Sequence, residues 1–250
     1  VKVWDSKKED AQKLAELCYI DEVTQNMDDM IEGVDAIIFP DGWTGRTIQH
    51  YSLAKPFLET GIPLFIDKPL SDNIKEAEKI IATARKNNTL IMSCSALCYA
   101  IELGEAQKDI NSMRPILIAS VTGHGDLVYY GIHSLELAYT VMGLGVESVR
   151  NVGKEGRSIV RIAYRDGRMI ILQVFRDIAP IFHLSLYGKK GWKEIIVKDS
   201  AYYYWNMLKH FLRMVKERKY PIPLAHTLEM IRILVSAKKS LENEEEIFLE

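Results

Sequence analysis

The chain has 250 residues, 48% of them hydrophobic and 26% charged, with a formal net charge of −2. That composition suits a globular chain with one large or two medium cores, and it argues against a dedicated nucleic-acid binder, which is usually basic. No apolar run approaches the roughly 18 residues that span a bilayer, so no membrane partner is expected.

Cys18, Cys94 and Cys98 form neither a disulfide framework nor a zinc spacing, which points to a reducing, cytoplasmic compartment. In chain order, Val1–Trp4 reads as a strand and Lys7–Leu17 as a helix with apolar positions at Ala11, Leu14, Ala15 and Leu17. Ala36–Phe39 is a short continuous apolar run, as in a strand buried on both faces. A helix near Thr47–Thr60, the strand Leu64–Ile66, a helix Asn73–Asn87 and the strand Leu90–Met92 follow. Gly61 stands just past a helix end, where a left-handed residue is favoured. This β–α alternation predicts a Rossmann-type parallel sheet with helices on both faces.

After about residue 112 the pattern changes. A strand Ile116–Thr122 and a helix Ile132–Met142 precede four β-type runs with no helix between them: Glu147–Val152, Ser158–Tyr164, Met169–Phe175 and Phe182–Tyr187. Asp166-Gly167 is a hairpin signal, and Lys193–Val197 adds a further strand. The expectation is a largely antiparallel open sheet in a second α/β region, one face packed on helices and the other suited to a subunit interface. Helices at Tyr202–Arg218 and Thr227–Leu241 and an acidic tail close the chain, with Glu242–Glu246 read as solvated charge. The division is therefore 1–112 and 113–250.

Three positions draw attention chemically. Asp5 ends the first strand, where an acidic side chain either caps the following helix or accepts from adenosine ribose hydroxyls; the second role would favour NAD over NADP. The usual glycine-rich loop and its strand are expected upstream of Val1. Lys68 follows the strand Leu64–Ile66 at the carboxyl edge, where open α/β sheets bind ligands; it reads either as a solvated loop lysine or as a group that holds substrate hydroxyls. His133 opens a helix and reads either as a satisfied, half-buried residue or as an acid/base.

Taken in order, Ala36–Pro40, His50 and Gly61–Leu70 with its Asp67-Lys68-Pro69 resemble the glucose–fructose oxidoreductase, inositol dehydrogenase and MocA (Gfo/Idh/MocA) family. The spacing from His50 to Lys68 (68 − 50 = 18), the run Gly123–Leu127, the motif Gly131-Ile132-His133-Ser134-Leu135-Glu136 and the turn Gly188–Gly191 are also similar to it. The resemblance implies an N-terminal Rossmann domain and a C-terminal α/β domain whose open sheet mediates homo-oligomers. It implies hydride transfer between NAD(P) and a hydroxyl-bearing carbon of a sugar, cyclitol or similar polyhydroxylated substrate. By position, Lys68 is the motif lysine at nicotinamide and substrate, and His133 the motif acid/base. Asp5, Pro40, Asp41 and Lys68 are then the cofactor contacts, and His124, Asp126, Tyr129 and Tyr130 the substrate pocket.

The chain departs from the family pattern at Tyr129, which stands where many members carry aspartate, and at Cys98, which replaces an arginine. Asp126 substitutes for that aspartate only if its loop folds back. No metal is expected: His124, Asp126 and His133 follow no compact ligand motif, and Cys94-x-x-x-Cys98 reads as buried inert thiols. Tyr202–Trp205 reads as core or interface packing before a sugar clamp. The rival to an enzyme is a binding or scaffold protein that keeps the fold without turnover.

Overall fold

The computed structural model describes residues 1–40 and 50–249. Asp41 and the expected helix start at Thr47 lie outside the described residues. The chain runs β1 (Lys2–Val3), α1 (Lys8–Cys18), β2 (Glu22–Val23), β3 (Ile37–Phe39), α2 (His50–Leu58), β4 (Leu64–Ile66), α3 (Ile74–Lys86), β5 (Ile91–Met92) and α4 (Ile101–Ser112). Then follow β6 (Ile116–His124), α5 (Gly131–Met142), β7 (Val146–Asn151), β8 (Arg157–Tyr164), β9 (Met169–Phe175), β10 (Phe182–Gly188), β11 (Gly191–Ile196), α6 (Ser200–Glu217), α7 (Leu224–Asn243) and β12 (Ile247–Phe248). Short 3-10 turns occupy Met27–Ile31 and Ala96–Tyr99.

The first part is parallel throughout but split among the described residues: β1 pairs with β2, and β3–β4–β5 form a separate sheet. β4 is buried at all three residues, as a central strand should be. Ala36–Phe39 departs from its expected burial on both faces. Ile37 is buried but Ile38, on the opposite face of the strand, is 50% exposed. α1 is similarly thinner than its pattern, burying Ala11 and Ala15 while Leu14 and Leu17 stay exposed. α3 is the well-formed case. Asn73 caps it by accepting from the Glu76 N–H, and Ala77, Ile80, Ile81 and Ala84 bury one face at helical spacing.

The second part is a seven-stranded sheet of order β11-β10-β6-β9-β8-β7-β12. Every neighbouring pair is antiparallel except β6 and β9. Gly167, at φ +84°, turns β8 into β9 in the left-handed conformation a non-glycine residue resists. On one face, buried Ala119, Val121, Val160, Ile162, Ile170, Leu172 and Leu184 pack under α5 and α7. α5 can lie so close because Gly123 has no side chain: a Cβ there would sit 1.9 Å from Ser134 Oγ. The acidic tail is not simply solvated, since β12 extends the sheet beside β7 and Glu246 meets Arg161 at 2.7 Å and Ser148 Oγ.

α6 returns to the parallel part. Phe211, Met207 and Met214 pack on Phe65, Met92, Cys94 and Ala96 as a second core, with Phe65 and Phe211 edge to face at 5.8 Å. Such an aromatic pair contributes about 1 kcal/mol beyond its buried area. The β4–β5 edge is thereby held against the end of the chain.

Candidate functional site

β4 delivers Asp67-Lys68 at its carboxyl end, and the loop after β6 delivers Tyr129, Tyr130 and, one turn into α5, His133. The Lys68 ammonium lies 3.7 Å from the centre of the Tyr129 ring and 5.9 Å from that of Tyr130, and reaches the Tyr129 carbonyl at 3.5 Å. Asp67 Oδ2 is 4.0 Å away. Only 11% of the Lys68 side chain is exposed, and burial lowers its pKa against the opposing pull of Asp67.

Tyr130 stands edge-on to the His133 ring, with centroids 5.6 Å apart, and Phe182 closes the other side at 5.7 Å. His124 joins the same cluster against Tyr130 and Phe182. His133 Nδ1 is 2.7 Å from Ser95 Oγ. Burial, with help from the positive Lys68 and from His124, lowers its pKa to about 3, so the imidazole is neutral at ordinary pH. If Nδ1–H donates to Ser95 Oγ, the lone pair sits on Nε2, which can then accept a proton.

The loop before α5 is built by Asp126 and Gly125. Asp126 Oδ1 accepts from the Val128 and Tyr129 N–H groups at 2.9 and 3.2 Å, and its carbonyl accepts from Tyr130 and Gly131. Gly125, at φ +95°, admits Tyr130: a Cβ there would meet the ring at 2.6 Å. Asp126 therefore aims the two tyrosines; its carboxylate makes no hydrogen bond to His133. His124 Nδ1 accepts from the Ile181 N–H at 3.2 Å.

The remaining expected positions lie elsewhere along the carboxyl edges. Asp5 is exposed past β1, and its Oδ1 accepts from the Lys7 N–H at 2.8 Å in a local turn, while α1 starts after Lys7 with no side-chain cap, so the expected capping is not made. Pro40 is exposed past β3. His50 is buried at 2% exposure with Nδ1 3.0 Å from the Leu70 carbonyl oxygen, a packing role on which the Lys68 loop rests.

Sequence reasoning missed Ser95 and left Glu136 as a motif letter. The Ser95 N–H donates to Glu136 Oε2 at 2.5 Å, its carbonyl accepts from the Cys98 thiol at 3.1 Å, and its hydroxyl meets His133. Burial raises the Glu136 pKa to about 8, against the Ser95 N–H and the Cys98 thiol, which favour the charged form. The available signal was a single carboxyl among Ile132, Leu135, Leu137 and Ala138, three residues past a histidine. Among the described residues the group able to hold a metal is Cys94, Cys98 and Glu136, not His124, Asp126 and His133.

The donor chemistry fits a nicotinamide dinucleotide at its reactive end. A desolvated ammonium and a neutral imidazole stand at the carboxyl edge of a parallel strand, with an exposed carboxylate past β1. Residues 1–94 match the model of the Gfo/Idh/MocA oxidoreductase family, described as an NAD-binding Rossmann fold. No curated protein sequence matches the chain. Among solved structures it is similar to a probable dehydrogenase from Thermotoga maritima, at 15% identity and TM-score 0.87, covering 99% of this chain and 90% of that one. It is similar to myo-inositol 2-dehydrogenase from Lactobacillus plantarum (14% identity, TM-score 0.84, 100% and 91% covered). A third likeness is to myo-inositol dehydrogenase from Lactobacillus casei in complex with NAD(H) and myo-inositol (12% identity, TM-score 0.84, 100% and 88% covered). At these identities the likeness is one of fold. No described helix is long and apolar enough to cross a membrane.

Proposed function

We propose, on the match of residues 1–94 to the Gfo/Idh/MocA oxidoreductase family, that the chain moves hydride between NAD and a hydroxyl-bearing carbon of a small polyhydroxylated substrate. The observation that carries this reading is the convergence of Lys68 and His133 on one aromatic wall, 65 positions apart in the chain (133 − 68 = 65). A cyclitol such as the myo-inositol bound by the Lactobacillus casei enzyme is the substrate class that suits one donor and one acceptor beside tyrosine faces.

Bound NAD+ supplies the hydride acceptor. Lys68 donates to the substrate oxygen and holds the nicotinamide ribose, and its positive charge favours the developing alkoxide. His133 Nε2 takes the hydroxyl proton during oxidation and returns it during reduction. Ser95 fixes the tautomer through Nδ1. In this reading the proton moves to Nε2 as hydride departs, because loss of hydride makes the hydroxyl acidic, which couples proton and hydride loss. Tyr129 and Tyr130, with His124, shape the pocket and exclude water. Asp126 acts through the two tyrosines it aims.

Asp5 lies where a ribose would be read and repels a 2′-phosphate, which favours NAD over NADP. Pro40 and Asp41 line the cofactor groove in this reading. We divide the chain into a cofactor part, 1–112, and a substrate part, 113–250. The sheet face bearing Ile118, Ser120, Ile159 and Ile171, only partly covered in the single chain, is the surface for a second copy. A cytoplasmic setting suits the free thiols Cys18, Cys94 and Cys98.

The test is turnover over a panel of cyclitols, sugars and keto-sugars with NAD+ or NADH, compared in Lys68→Ala and His133→Ala. Both variants should lose turnover while still binding NADH. Undiminished turnover in both would remove the assignment. NADH binding with no turnover on any substrate would favour the scaffold reading.

A further inference from the structure

Beside Ser95, three acidic ligand groups meet in the core. Cys94 follows β5, Cys98 lies on the 3-10 turn Ala96–Tyr99, and Glu136 lies on α5. One ligand atom from each, two sulfurs and a carboxylate oxygen, lie within 4.8 Å of one another. Cys94 and Glu136 are both 3% exposed.

A second observation is independent of that proximity. Glu136 Oε2 is committed to the Ser95 N–H, and Oε1 is buried with no hydrogen bond of good geometry beyond the pull of the neighbouring Cys98 thiol. A buried carboxylate oxygen left unpaired costs about 1–3 kcal/mol, more when charged, so a native fold normally gives it an occupant. None of the ion pairs formed among the described residues supplies one. There is also a way in: Cys98 and Tyr99 line a cavity shared with Gln107, Thr140 and Asn206, and the buried Tyr99 hydroxyl is likewise unpartnered.

We propose that Cys94, Cys98 and Glu136 form a binding site for a thiophilic divalent cation of the zinc class, Glu136 binding through Oε1. Two thiolates and one carboxylate are a borderline-soft donor set that suits zinc and is wrong for magnesium or calcium, which take six or more oxygens. Zinc–ligand distances of about 2.0–2.3 Å in a tetrahedron put ligands about 3.5 Å apart, so the three atoms need to draw in by about 1 Å. Water from the Cys98 cavity completes the set. Both thiols and the Glu136 carboxyl release their protons to solvent as the metal enters. The site does not depend on the dehydrogenase reading, but it borders it: Ser95 lies between Cys94 and Cys98 in sequence and bonds both Glu136 and His133.

The experiment uses the whole protein, reduced and stripped with a chelator, then loaded with Zn²⁺ alone and separated from free metal. The expected result is one zinc retained per chain, and a thiolate-to-cobalt charge-transfer absorption when Co²⁺ replaces Zn²⁺. Glu136→Gln should weaken retention by more than about 10-fold, since even outer-shell losses reach that size. Cys98→Ser should abolish the cobalt band, and Cys18→Ser, at an exposed thiol, should change neither. Should the core variants fail to fold, the wild-type cobalt spectrum decides alone. Sub-stoichiometric retention, cobalt bound without a thiolate band, or a pair that hydrogen peroxide joins as a disulfide while zinc never binds would each overturn the proposal.

Discussion

Two sides of Ser95 carry opposite chemistry under the same physical condition. On one side, His133 faces Lys68 and the two tyrosines; on the other, Glu136 faces two thiols in the core. Their positions differ by three, one turn of α5. Burial lowers the histidine to about 3 and raises the glutamate to about 8. A base and an acid are both driven to their neutral forms, because desolvation penalises whichever form is charged. The lesson is that α5 presents two titratable groups that burial drives to their uncharged forms, one towards the Lys68 wall and one towards the thiols.

The comparison breaks most visibly on the Lys68 side. His133→Ala should lower kcat about 10²- to 10⁴-fold, the range of a general acid/base, with little change in melting temperature. Steady-state kinetics with NAD+ and the best cyclitol, alongside thermal unfolding, check both halves. A large loss of stability with unchanged kcat would invert the two roles.

Glu136 should show itself in stability rather than rate. Between pH 4.5 and 8 the folded state holds a proton on Glu136 that the unfolded state has released, so stability falls as pH rises. His133 acts oppositely, and stability is lost as pH falls from 6.5 towards 3. The two slopes offset each other between pH 4.5 and 6.5, and above that His133 no longer opposes the Glu136 slope. Urea unfolding in the metal-free protein should therefore lose up to about 1.4 kcal/mol per pH unit between pH 6.5 and 8. Glu136→Gln should flatten that decline.

Ser95 belongs to both sides and separates them. Ser95→Ala removes a hydrogen bond of about 1 kcal/mol and should cost about 10-fold in kcat, with Ser95→Thr restoring most of it. Nitrogen NMR of His133 in Ser95→Ala should show mixed tautomers, which a purely packing role would not produce. Smallest is Tyr129→Leu: losing the ring over the ammonium should cost about 1 kcal/mol and lower the Lys68 pKa further, because the ring no longer favours the charged form. Amine-reactivity profiles against pH measure that shift.

Most of the architecture was legible because it rests on local periodicity: α3, β4, the four-strand run and the Asp166-Gly167 turn all follow from spacing and turn chemistry. What sequence could not supply was contact between distant segments. β2 and β12 have two residues each, too few for a period, and exist through their partners. Ser95 and His133 lie 38 positions apart, Lys68 and Tyr129 lie 61 apart, and neither pair leaves a trace in any window. Ile38 looked central because its neighbours are apolar, yet it points to the opposite face from Ile37 and is exposed there.

The central claim is that Lys68 and His133 share one nicotinamide-binding site. Titration of protein carrying ¹⁵N-labelled histidines with NADH tests it most directly. His133 should shift and saturate with NADH, and in Lys68→Ala that response should weaken, while His226, near Tyr139 on the far end of α5, stays unmoved in both. NADH that binds without moving His133, or moves it equally when Lys68 is gone, would contradict the account.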